Sequence, residues 1–204
     1  MPKKIKIEPD TSTEEKIKEA ARKVFTKKGY AATRTRDIAE EAGMNLALLN
    51  YYFRSKEKLF EMIMMEKVQA LFGMLMPVVT DSKTSLGKKI EMIAANYIEM
   101  LSHNPELPLF VLSEIRNNPE QFSEKMQVGK LIRESHFVKQ LKEKRPDLHP
   151  LHLLMSLLGM VLFPFIARPL FNSVGALNQK EFDVLMNERK SLIPVWMKAV
   201  LKTK

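Results

Sequence analysis

No cysteine occurs among the 204 residues of this chain. That excludes a disulfide framework, a thiolate metal centre and a nucleophilic thiol, and it suits a reducing compartment. Glycine is scarce at seven residues, and no phosphate-cradling loop, GxSxG elbow or HExxH pair is present. Catalysis has no motif to rest on, so neither an enzyme nor a cofactor is expected. Period-2 alternation is also missing, which leaves an all-helical reading. No apolar stretch precedes Ile17, so no secretory leader is expected. The longest apolar run, Leu153 to Ala167, is 15 residues interrupted by Pro164, short of the roughly 20 that cross a bilayer. A buried or interface helix is expected there, no membrane partner, and a cytoplasmic location.

What is present is apolar bulk and positive charge. Apolar residues make up 45% of the chain, enough for a packed core. The net charge of +9 points to a polyanionic partner. Residues 1–60 carry 14 Lys and Arg against 9 Asp and Glu, so +5 of that charge sits in less than a third of the chain.

The punctuation marks out helices. Ser12 and Glu15 can form a capping box for a first helix, which Gly29 stops, with Ile17, Ala20, Ala21, Val24 and Phe25 on one stripe. A short helix follows, with Thr35 as expected cap and Ile38, Ala39 and Ala42 on its buried face. Asn45 is suited to cap a second short helix, Leu46 to Phe53. A fourth helix, capped by Ser55, keeps apolar spacing as far as Pro77 and is long enough to bridge two domains. Further helices are expected after Leu86, from Pro108, over residues 119–144, over 150–171 and over 178–201, the last bent or split by Pro194.

Two short helices joined at Gly43-Met44-Asn45 have the length and turn of a helix-turn-helix, whose second helix enters the major groove of DNA. Leu49 and Phe53, four apart, lock onto Ile38 and Ala42. Asn45, Leu46, Ala47, Leu48, Asn50, Tyr51 and Tyr52 are left on or near the outer faces. Asn50 can bond base edges or phosphate, Ala47 and Leu48 can touch a thymine methyl, and the tyrosines can reach phosphate oxygens. Arg34, Thr35, Arg36 and Lys56 stand at helix starts, where phosphate is held.

The stretch from Thr35-Arg36-Asp37-Ile38-Ala39-Glu40-Glu41-Ala42-Gly43-Met44 through Asn45 to Leu59 resembles the DNA-binding signature of TetR/AcrR-type transcriptional regulators. The preceding helix, ending in Phe25 and Gly29-Tyr30, matches as well. Asn50 stands where that family more often has tyrosine, and Leu46-Ala47-Leu48 is more apolar than usual. The resemblance implies a DNA-binding domain over residues 1–55 and an all-helical effector-binding and dimerisation domain over 56–204. It further implies a homodimer through residues 150–171 and 178–201, a palindromic double-stranded operator, and repression relieved by a small apolar or amphipathic ligand.

For such a ligand, Met65, Met92, Phe110, Phe122, Met126 and Phe163 are candidate cavity residues, since methionine adapts to irregular apolar shapes. Glu114 is a candidate to orient a polar group. His149 and His152 with Asp147 have a spacing that can hold a metal, but a solvated cluster at a helix entry is the preferred reading and no metal is expected. Three alternatives stay open: an activator, a regulator without a small-molecule ligand, and a helical small-molecule carrier with vestigial DNA binding.

Overall fold

The computed structural model describes residues 11–175 and 177–202; expectations about the first ten residues lie outside them. Among the described residues every regular element is a helix: α1 (Thr11–Ala32), α2 (Thr35–Glu41), α3 (Leu46–Phe53), α4 (Lys56–Thr80), α5 (Leu86–His103), α6 (Leu107–Asn117), α7 (Pro119–Lys125), α8 (Val128–Glu134), α9 (His136–Lys144), α10 (Pro150–Ser173) and α11 (Gln179–Lys202). They form two compact units, 1–67 and 68–204. The division falls inside α4, which supplies Leu59, Ile63 and Met64 to one core and Val68, Leu71 and Leu75 to the other.

In the first unit, α1 buries the five residues of its stripe, Ile17, Ala20, Ala21, Val24 and Phe25. Its regular course breaks at Gly29, whose φ of 74° is open to glycine and costly for other residues. The cap of α2 is Arg34 rather than Thr35, and the Asp37 carboxylate accepts from the Arg34 N–H at 2.9 Å. An ionic lattice links α1 to α4: Arg22 pairs with Glu15 at 2.7 Å and Glu66 at 2.6 Å, and Lys18 with Glu66 at 3.2 Å.

In the second unit, α5 packs against α9, α10 and α11, and α10 also packs on α6. The stretch 119–144, expected as one helix, is three. Gln127 adopts a left-handed conformation (φ 51°), ending one helix and starting the next. Ser135 is extended, and its hydroxyl accepts from the Val138 N–H to cap α9. Asn178 and Glu181 cap α11 reciprocally, each backbone N–H donating to the other's side chain.

Pro77, expected to end its helix, and Pro194, expected to bend or split one, lie within α4 and α11, and α10 likewise continues through Pro164 and Pro169. A proline has no N–H and leaves the carbonyl four residues earlier without its helical donor. For Pro164 that carbonyl belongs to Met160, and the Arg189 guanidinium from α11 donates to it at 2.6 Å. A side chain from a neighbouring helix thus replaces the missing amide. Both α4 and α10 are long and apolar enough to cross a membrane. Here α10 buries Leu153, Leu157, Val161 and Phe165 within its unit, as a core helix does.

Candidate functional site

The first candidate site is the outer face of α3. Asn45 caps this helix, its side chain accepting from the Leu48 N–H at 2.8 Å. Leu49 and Phe53 point inward, 0% and 3% exposed, and Ile38 on α2 is fully buried. That lock leaves Asn45, Leu46, Ala47, Asn50 and Tyr51 exposed and Leu48 and Tyr52 half-buried. The rings of Tyr51 and Tyr52 meet edge to face, 5.4 Å between centroids. Arg34 and Arg36 are exposed at the start of α2, with Thr35 half-buried between them. Asp37 is kept acidic by the Arg34 N–H and then by Lys28, 3.0 Å away.

Lys56 has a second occupation. Its ammonium donates to the carbonyls of Tyr30 at 3.1 Å and Thr33 at 3.0 Å, and sits 4.2 Å over the Tyr30 ring. Two of its three donors are thereby committed to tying the start of α4 to the α1–α2 connection. The Tyr30 ring in turn lies 4.5 Å from Phe60, which meets Phe25 edge to face at 5.2 Å. Arg54 and Lys58, exposed beside the same turn, were not among the expected contacts. Arg54 closes α3 with φ 59°, and only the run Arg54-Ser55-Lys56-Glu57-Lys58 hints at it in the sequence.

The second candidate site is a cavity of about 390 Å³ inside the second unit, with walls from α4 to α10. Val68, Leu71, Leu75, Leu101, Leu154 and Leu158 typify its lining. Among its lining residues only Tyr97, Ser123 and Ser135 carry a side-chain polar group, and none is ionisable apart from the Tyr97 phenol. Burial pushes that phenol up to about 12, so it stays protonated. Of the expected cavity residues the structure brings in Phe122 alone, its ring edge-to-face with Phe72 at 6.5 Å.

Met92, Phe110, Glu114 and Met126 are not part of the lining. Phe110 and Met126 are buried in packing. Met65 belongs to the first unit, and Phe163 is 63% exposed on α10. Methionine fills ordinary cores as readily as cavities, and Met155 is the methionine among the lining residues. Tyr97 carries a better signal: a polar tip on the otherwise apolar stripe of α5.

His149 caps α10, accepting from the Leu151 N–H at 3.3 Å, and Asp147 pairs with Arg145 at 2.6 Å. A third feature is apolar surface on the last two helices. Met155, Phe163, Leu170 and Val174 on α10, and Val184, Leu192, Val195 and Trp196 on α11, are all exposed.

Residues 17–63 match the family described as "Bacterial regulatory proteins, tetR family". Over 202 residues the chain is 23% identical to the "Probable HTH-type transcriptional regulator YttP" of Bacillus subtilis, covering 94% of this chain and 95% of that one. A TetR/AcrR-family regulator from Thermobifida fusca has a similar fold, with a TM-score of 0.60 at 18% identity over 91% of this chain and 97% of that one. So does the transcriptional regulator FadR of Bacillus subtilis in complex with stearoyl-CoA, at 0.52 and 16% identity over 88% and 97%. The capped, locked helix pair that the first unit builds lies within the stretch the family match covers, so residues 17–63 carry the tetR-family DNA-binding segment, and the chain as a whole resembles TetR/AcrR-type transcriptional regulators.

Proposed function

We propose that the protein is a homodimeric repressor that holds a palindromic operator through two copies of α3 and releases it when a small molecule fills the cavity of the second unit. The observation that carries the DNA half is the lock of α3: with Leu49 and Phe53 buried, the opposite face is presented whole. Asn45, Leu46, Ala47, Leu48 and Asn50 read base edges. Arg34, Thr35, Arg36, Tyr51, Tyr52 and the remaining donor of Lys56 hold phosphates. No arginine stands on α3, so sequence preference leans on Asn50, on apolar contacts with thymine methyls and on DNA shape.

Residues 1–55 form the DNA-binding part and 56–204 the effector and dimer part, in the cytoplasm where the operator lies. The exposed apolar residues of α10 and α11 support dimerisation through those helices, since unpartnered surface of this kind marks an interface. The apolar cavity supports effector binding. No catalytic role is proposed.

Selection of bound duplexes from a random pool tests the reading. It is expected to return a two-fold symmetric site whose half-sites lie about 34–36 Å apart, or a multiple of that, with affinity falling steeply as salt rises. Recovery of unrelated sequences with weak binding would overturn it.

A further inference from the structure

The walls of the cavity specify more than a ligand of apolar character. No Asp, Glu, Lys, Arg or His stands among its lining residues. A carboxylate or ammonium inside would lose water and gain no counter-charge, which is the costliest burial a protein can impose. The polar inventory is three hydroxyls. Ser135 is 3% exposed, and its oxygen accepts from the Val138 N–H, which leaves its proton to donate. The protonated Tyr97 phenol can donate or accept.

We propose that the ligand of this cavity is an uncharged, mainly aliphatic molecule with one hydroxyl or carbonyl, which Tyr97 anchors by a hydrogen bond. This rests on the cavity being the effector site. A charged head drawn into the cavity meets no counter-charge among the lining residues, so charged amphiphiles of the same chain length are disfavoured.

Calorimetry on the full-length protein at pH 8 with decan-1-ol, decanoate and decylammonium tests the class directly, with release of operator DNA followed separately by fluorescence anisotropy. Decanol is expected to bind at least tenfold more tightly than either ion. Decanoate is expected to gain affinity as pH falls toward its own pKa, as the neutral acid becomes available. Equal affinity for all three overturns the charge argument even if DNA is released. Decanol binding without DNA release supports the ligand class and overturns the effector role. No binding by any of the three overturns both. Tyr97→Phe is expected to weaken decanol about tenfold while leaving naphthalene, which needs no hydrogen bond, within twofold. An equal loss for both probes overturns the anchoring role of Tyr97.

Discussion

Two lysines show how differently one residue type is used. Lys56 is satisfied by two carbonyls and an aromatic face, so Lys56→Met strands those carbonyls in a part-buried site. A loss of about 1–3 kcal/mol in urea unfolding is expected, accompanied by weaker binding to all DNA sequences. Lys89 is the opposite case: it is fully buried, its Nζ has no hydrogen-bond partner, and burial lowers its pKa against the pull of Asp81.

A lysine depressed in the folded state binds fewer protons there than in the unfolded chain. Between that lowered value and the unfolded value of about 10.4, stability therefore rises with pH. Below the lowered value the lysine is charged in both states and its burial penalty is complete. Lys89→Met is expected to raise the unfolding midpoint at neutral pH and to flatten this rise, as a pH series of thermal melts would record. Neither role was legible in the sequence. Lys56 meets partners 26 and 23 residues away, and Lys89 sits on an amphipathic helix whose registry alone does not say which lysine is covered. Asn45 was legible because its partner is three residues on.

At the scale of elements, local grammar served well wherever the decisive partner is local, as in the Asn178–Glu181 cap and the glycine stop of α1. It misled where tertiary contacts override a local penalty. An interior proline costs about 3 kcal/mol in an isolated helix, which is why Pro77 and Pro194 read as breaks, yet packing holds each helix continuous. The Arg189–Met160 bond gives a measurable instance. Arg189→Met is expected to cost about 1–3 kcal/mol. Pro164→Ala restores an amide to the Met160 carbonyl, so in that background the same substitution should cost less, with a coupling above about 0.5 kcal/mol in the double-mutant cycle. Additive losses would mean that the guanidinium matters only through its stacking on Trp196, 5.1 Å away. The opposite misreading, one helix over 119–144, came from apolar spacing that carries on past Gln127, since a left-handed residue without glycine leaves no mark in the sequence.

For the whole molecule, helix content and the order of a helix-turn-helix followed by a longer helical part were readable, because amphipathic stripes and a motif of fixed spacing encode them. The cavity was not, since its wall is assembled from seven helices far apart in sequence. Val195, 59% exposed on α11, tests assembly. Val195→Glu is expected to shift sedimentation from dimer to monomer and to weaken palindrome binding, with little change in the helical circular dichroism signal.

One part of that wall sets a local clock. The helices α7, α8 and α9 have seven, seven and nine residues, well under the about 12–15 at which a helix begins to hold itself together in water. Their order is borrowed from the side chains they lay against the cavity, so their amides open at lower free energy than those of α10. Hydrogen exchange should therefore run faster across 119–144 than across α10, and a molecule that fills the cavity should slow it there. Protection of that stretch then reports occupancy of the cavity directly, before any DNA has been added.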